Sequence, residues 1–115
     1  EFHSACVFDK VVPACKALID MAEEKGIKVI LLSARPARFK PQTEEWLTKN
    51  NIHYDQLILS HYPELSDPDY KLKMYRELIE PFADVLFAVD DRDIVVQMWR
   101  DNAITCLDIA GNHFS

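Results

Sequence analysis

Four short apolar runs alternate with segments of helical periodicity, and this alternation constrains the fold more than any other feature of the chain. Uninterrupted apolar runs of this length are typical of strands that are buried on both faces of a parallel sheet. Parallel neighbours need long crossover connections, which the intervening helical segments can supply. The pattern therefore predicts an α/β fold with a parallel sheet. The predicted strands are Lys28–Ser33, Gln56–Ser60, Asp84–Val89 and Ile104–Ile109.

The segments between the runs carry the start and stop signals of helices. In the first segment, Pro13 lies in the first turn and Gly26 ends the helix. In the third, Asp67 is the predicted N-cap and Pro68 the first helical residue. The second ends near Asn50 and Asn51, where a left-handed cap is plausible. The four predicted helices span residues 11–25, 41–50, 68–82 and 92–102.

Length and charge narrow the classes of protein to which the chain can belong. The 115 residues suit one compact domain, residues 1–115. A formal charge of −6 argues against a general electrostatic grip on nucleic acid, although Arg35, Arg38 and Lys40 form a local basic cluster. No apolar run reaches the roughly 18 residues of a membrane helix. Three cysteines without C-x-x-C spacing predict reduced, buried thiols and a cytoplasmic location.

Two adjacent carboxylates, Asp90 and Asp91, stand at the end of the third apolar run. Like charges repel each other, and burial increases the cost unless a cation compensates. Magnesium prefers oxygen ligands and keeps room for waters and a substrate phosphate oxygen. The alternative is that Asp91 caps the next helix, which accounts for one aspartate and leaves Asp90 unexplained. The pair indicates a metal site, with the capping role of Asp91 still open.

Other polar side chains also fall where parallel sheets bind ligands, outside the carboxyl ends of the strands. Ser33 and Arg35 follow the first strand and could bond a phosphoryl group, although a turn serine and a solvated arginine are the simpler interpretation. Asp67 and Lys71 are four residues apart and share one face of the third helix. They form either an exposed ion pair or, if that face meets the strand ends, a fixed cation oriented by Asp67.

Taken in chain order, the serine, the lysine and the Asp-Asp pair resemble the haloacid dehalogenase superfamily of phosphotransferases. Within that superfamily, "FAVDDRDIVVQMWRDNAITCLDIAG" is similar to the end of the 3′-phosphatase domain of phage polynucleotide kinase. The segments "LLSARPARF" and "SDPDYKLKMYRELIEPF" resemble its phosphate-binding serine segment and its lysine helix. The resemblance extends over about residues 11–114 and implies a three-layer, Rossmann-like parallel sheet.

The resemblance also implies a chemistry. Members of the superfamily transfer phosphoryl groups through an aspartyl-phosphate, which divides one hard hydrolysis into two easier steps. By this resemblance Ser33 and Lys71 hold the phosphoryl group, and Arg35 contacts the substrate or the transition state. The implied catalytic residues are Ser33, Arg35, Asp67 and Lys71, and the implied Mg²⁺ ligands are Asp91 and, in support, Asp90.

One part of the family pattern is missing from the 115 residues. The nucleophile motif, Asp-x-Asp-Gly-Thr after an apolar strand, does not occur; Asp9 follows an apolar run, but Val11 stands two residues later without Gly-Thr. In this fold the missing strand is central, between the strands that end at Ser33 and Asp90, and its loss leaves backbone groups unpaired. We expect an N-terminal segment beyond this sequence to fill the gap. Direct pairing of the two strands and a strand from another chain are the alternatives.

The expected function is a magnesium-dependent phosphohydrolase that removes a phosphate monoester, in the first place the 3′-phosphate of a polynucleotide. Its aspartate nucleophile would lie outside this sequence. One alternative is a nucleotide or small-molecule phosphatase of the same superfamily, and another is a catalytically silent phosphate-binding or interaction module. The expected partners are a phosphate monoester and nucleic-acid 3′ ends, without a membrane. A fused or separate kinase domain and the oligomeric state stay open.

Overall fold

The computed structural model describes residues 13–109, in which helices and strands alternate as the sequence predicts. A 3₁₀ turn, Ala37–Phe39, precedes the second helix, and a π-helical turn, Tyr75–Ile79, follows the third. No helix within residues 13–109 is long and apolar enough to cross a membrane. Asp9 lies outside the described residues. The elements are α1 Pro13–Glu24, β1 Ile30–Pro36, α2 Lys40–Lys49, β2 Gln56–Ser60, α3 Asp67–Met74, β3 Ala88–Asp90, α4 Asp93–Asp101 and β4 Cys106–Asp108.

The strands form a central layer with an apolar core on each face. Side chains alternate across β1, so that Ile30 and Leu32 enter one core while Leu31 enters the other. Helices α1 and α2 cover the Leu31 side, and α3 and α4 cover the opposite side. The three-layer α/β arrangement that the sequence predicts is therefore confirmed.

The strands pair in two parallel ladders, β1 with β2 and β3 with β4. Within residues 13–109 no ladder joins β1 to β3. The two pairs nevertheless share both cores, since β1 and β3 contribute side chains to each of them. The structure therefore excludes one alternative, direct pairing of the strands that were predicted to end at Ser33 and Asp90.

Three helices end in the same hydrogen-bonded motif, with a residue of positive φ followed by a buried or half-buried isoleucine. The residues of positive φ are Gly26, Asn51 and Ala103, at 74°, 55° and 61°. This is the Schellman arrangement, which satisfies carbonyl groups that the helix end leaves unpaired. The predicted ends at Gly26 and Asn51 are confirmed, whereas the Ala103 end carries no sequence signal. The closing bonds run from the N–H groups of Ile27, Ile52 and Ile104 to the carbonyls of Ala22, Leu47 and Trp99.

Several local predictions were wrong in detail. The N-cap of α3 is Ser66, whose Oγ accepts a hydrogen bond from the Asp69 N–H, and Asp67 is already helical. Strand β3 begins only at Ala88, and Leu86, within the predicted strand, is 60% exposed. Cys106 is a free, buried thiol, but Cys15 is disulfide-bonded, so reduced thiols were wrongly predicted for that residue.

We expect Ala103→Gly to stabilise the protein, because alanine is strained at positive φ and glycine is not. The expected gain in the free energy of unfolding is about 0.5–1 kcal/mol. The matched control is Ala17→Gly, also at an exposed alanine but inside α1, where the loss should be about 1 kcal/mol. Urea unfolding of both variants measures the difference. A loss of stability in both would contradict the assigned backbone conformation at Ala103.

Candidate active site

A buried lysine lies between two carboxylates where β3 ends. Lys71 is 1% exposed, and its Nζ donates a 3.0 Å hydrogen bond to Oδ2 of Asp90, which is equally buried. The same Nζ lies 3.3 Å from Oδ1 of Asp67. That second contact is an ion pair and not an aligned hydrogen bond, because Asp67 Oδ1 is buried without a hydrogen-bond partner. The ammonium thus has donors left over for a further ligand.

The local sequence turns Lys71 toward the strands. Ser66 starts α3, and Tyr70 and Met74, 1% and 4% exposed, bury its apolar side in the core. Asp67 and Lys71 are four residues apart, and this spacing places them on the same helical face. Of the two interpretations left open by the sequence, the structure has the buried pair that meets a strand end.

Asp90 is held on both carboxylate oxygens. Oδ1 accepts hydrogen bonds from the N–H groups of Asp91 and Arg92, at 2.9 and 3.4 Å, while Oδ2 accepts from Lys71. Burial raises the pKa of Asp90, and the Lys71 ammonium and the two N–H groups oppose this rise. Lys71 therefore supplies the charge compensation that the adjacent aspartates require at Asp90.

Arg92 completes the cluster, and the sequence analysis assigned it no role. Its Nη1 lies 2.7 Å from Oδ2 of Asp67, across 25 residues of sequence. Its backbone N–H meanwhile bonds Asp90, so Asp67, Lys71, Asp90 and Arg92 form a closed ring of contacts. The Arg92 side chain is 56% exposed, unlike the other members. Arg92 follows the Asp-Asp pair directly in the sequence, but its pairing with Asp67, 25 residues away, could not be predicted from that position.

Ser33 lies within β1 and Ser60 ends β2, and the two hydroxyl groups make the same kind of turn contact. Each hydroxyl oxygen accepts a hydrogen bond from the N–H two residues later, Arg35 at 3.1 Å and Tyr62 at 3.0 Å. Both serines are buried, at 9% and 8% exposed. The turn engages an acceptor lone pair of Ser33, so its O–H can still donate to a phosphoryl oxygen. The sequence predicted no role for Ser60, because a serine at the end of a strand is common and is not in itself a signal of function.

Asp91 offers the more accessible of the two adjacent carboxylates. It is half-buried, whereas both oxygens of Asp90 already accept hydrogen bonds. Within residues 13–109 no group of three His, Cys, Asp or Glu side chains is arranged to hold a metal ion. Magnesium commonly takes only one or two protein carboxylates and keeps several waters. The hard oxygen donor of Asp91 fits that requirement, and the predicted magnesium site stays a prediction.

A family model described as the polynucleotide kinase PNKP phosphatase domain, of haloacid dehalogenase type, matches residues 3–114. The chain belongs to this family. The match covers the serine segment, the lysine helix and the Asp-Asp-Arg loop together. The resemblance to a polynucleotide kinase phosphatase domain is therefore confirmed, and so is the haloacid dehalogenase-like fold, whereas the likeness to the phage protein in particular stays a prediction.

Two solved structures are similar to the chain as a whole. One is titled "Structure of Pnkp1/Rnl/Hen1 complex", with 26% identity and a TM-score of 0.88 over 94% of this chain and 45% of the other. The second, "Structure of the Pnkp1/Rnl/Hen1 RNA repair complex", has the same identity and TM-score and is covered over 42% of its length. The chain thus spans less than half the length of the chains it matches.

We expect Lys71→Met to destabilise the fold strongly, because it leaves Asp67 and Asp90 without their shared ammonium. Removing one partner of a buried ion pair typically costs about 3–5 kcal/mol. Losing Lys71 also raises the pKa of Asp90 further, which penalises the folded state wherever that carboxyl must ionise. The loss should therefore be largest at pH 7 and shrink as the pH falls toward 5.

Urea unfolding in EDTA at pH 7 and pH 5 measures both effects. The matched control is Lys73→Met, two residues later on α3, where the lysine side chain is 37% exposed and forms an ion pair with Glu77 at the surface. That variant should be almost as stable as the parent at both pH values. An equal loss in the two variants would contradict the buried charge cluster.

Proposed function

We propose that the chain is the phosphate-binding part of a magnesium-dependent phosphohydrolase that removes the 3′-phosphate of a polynucleotide. The observation that carries the proposal is the buried Lys71 ammonium, fixed between Asp67 and Asp90 with donors to spare. A phosphoryl group is a dianion, and a desolvated cation at a strand end attracts it far more strongly than one in water. Membership of the PNKP phosphatase family supports the choice of a polynucleotide end.

The proposed roles follow from what each side chain can donate. Lys71 and the Ser33 hydroxyl bind phosphoryl oxygens, and Arg35 contacts the same group through its guanidinium. Asp67 positions Lys71, which it approaches to 3.3 Å. Asp91 would hold Mg²⁺ with Asp90 in support, and the ion would neutralise charge that develops on the transferring group. The proposal places the aspartate nucleophile of the family in a segment outside this sequence.

A second candidate function is a silent phosphate-binding module, which needs only the Lys71 ammonium and the Ser33 hydroxyl. Such a module would bind a 3′-phosphorylated strand through Lys71 and Ser33 without breaking the ester. Both functions predict that the phosphorylated strand binds, but only the phosphohydrolase releases phosphate. One experiment can therefore separate them.

The experiment uses a protein that includes the proposed nucleophile segment. It measures phosphate release and binding of a 3′-phosphorylated oligonucleotide, with Mg²⁺ and with EDTA. Magnesium-dependent release that falls about 100-fold or more in Asp91→Asn is the expected result, because a ligand of the catalytic cation is lost. Asp84→Asn, which removes a carboxylate from an exposed position, should leave the rate unchanged. Tight magnesium-dependent binding without release would favour the silent module. Faster release from a nucleotide monophosphate than from the oligonucleotide would favour the small-molecule phosphatase.

We also expect Arg92→Met to lower kcat about tenfold, with a smaller change in KM. The arginine would act through Asp67, by holding the carboxylate that faces Lys71. Arg92→Lys should recover part of the rate, since a lysine can still pair with Asp67. Steady-state kinetics on the active protein measures the changes in kcat and KM separately. An unchanged kcat in Arg92→Met would show that the ring of contacts is structural only.

A further inference from the structure

We propose that a cavity beside β2 binds the nucleotides that precede the terminal phosphate of a single-stranded polynucleotide. The inference rests on the proposed function for its choice of ligand. The cavity has a volume of about 310 Å³, near the lower end for ligand sites. It opens between β2, the turn after β1, and the α3 segment with its π-helical turn. Its wall includes Ala37, Lys40, Leu57, Leu59, His61 and Tyr62.

The pairing of β1 with β2 brings the cavity close to the proposed phosphate site. Pro36 of β1 pairs with Ser60 of β2, so the turn after β1 meets the segment that begins at His61. Arg35, which we assign to the phosphoryl group, is three residues before Arg38. Three residues span at most about 10 Å. A strand whose terminal phosphate lies at Ser33 and Arg35 would therefore reach the cavity within its next nucleotides.

The charges on and beside the cavity favour an anion, with Lys40 on the cavity wall and Arg38 next to the wall residue Ala37 in the chain. Arg38 and Lys40 form no ion pair with any residue between 13 and 109. Glu77, the carboxylate on the cavity wall, is neutralised by Lys73 at 2.6 Å. The chain carries a formal charge of −6, so two uncompensated cations at one place are a local exception. Backbone phosphates are suitable partners for them.

Two aromatic rings, one beside Arg38 and one beside Lys73, favour nucleobases over a simple anion. The Arg38 guanidinium lies 4.6 Å from the centre of the Phe39 ring, which is 37% exposed. Lys73 lies 5.0 Å from the centre of the Tyr62 ring, which is on the cavity wall. Aromatic side chains next to cations are the usual means of holding single strands without regard to sequence, because every base can stack. A small phosphate ester would use neither ring.

The test measures binding of a fluorescent single-stranded oligonucleotide with a 3′-hydroxyl end, so that it does not depend on turnover. We expect Arg38→Ala/Lys40→Ala to weaken binding at least tenfold. The slope of log K against log salt should fall by about 1.4, since each lost phosphate contact contributes about 0.7. Lys25→Ala/Lys49→Ala removes the same charge at exposed helix ends and should leave the slope unchanged. Equal losses in both double variants would overturn the proposal.

A second comparison tests stacking. Tyr62→Leu keeps an apolar side chain where Tyr62 packs against the core, but it removes the ring. The parent should bind a normal strand about fivefold or more tighter than one with abasic positions before the 3′ end, and Tyr62→Leu should lose most of that preference. An equal preference in parent and variant would overturn the stacking role. Binding that follows these predictions in a protein without phosphatase activity would disprove the proposed reaction and leave the cavity assignment standing.

Discussion

The site depends on one buried ammonium group. Lys71 is nearly inaccessible to water, and the carboxylates of Asp90 and Asp67 offset the cost of removing its charge from solvent. Those carboxylates come from a strand end and from the first turn of α3, so the cluster ties two layers of the fold together. Arg92, from the loop after β3, is the fourth residue of the cluster and pairs with Asp67. The cluster is thus part of the core and the centre of the proposed chemistry at once.

The surrounding architecture gives the cluster its position. β1 and β3 belong to separate ladders within the described part of the chain, yet both feed the same two cores. Helix α3 is anchored by Tyr70 and Met74, and its N-terminus is fixed by the Ser66 cap. Packing on one side and capping at one end leave little freedom for the face that carries Lys71. The proposed nucleotide cavity uses the next part of the same helix region, through Met74 and, in the π-helical turn, Glu77 and Leu78.

The sequence predicted the order of elements because apolar runs and helix-end residues are local signals. Strand β2 has the predicted bounds, and the ends at Gly26 and Asn51 are where they were expected. The predictions were wrong where the local structure depends on contacts between residues that are far apart in the sequence. Ser66 and Asp67 are both good caps, and only tertiary packing selects the first.

The candidate site shows the same division. The spacing predicted that Asp67 and Lys71 share a helical face. It did not predict that Lys71 compensates Asp90 across 19 residues; the sequence analysis had expected a metal ion to compensate the adjacent aspartates and had left open a capping role for Asp91. The pairing of Arg92 with Asp67 likewise depends on how the β3–α4 loop meets α3. Residue types therefore indicated the chemistry, while the partners of each charge could be identified only in three dimensions.

The ring of contacts around Lys71 also bears on how tightly a phosphate could bind. A free lysine side chain samples many rotamers, and ordering it costs about 2 kcal/mol of conformational entropy. Here Asp90 and Asp67 order the side chain when the protein folds, before any ligand arrives. The side-chain entropy of Lys71 is therefore lost when the protein folds and not when the phosphate binds. An incoming phosphoryl group meets a donor that already points in a fixed direction, which favours affinity without requiring any additional contact.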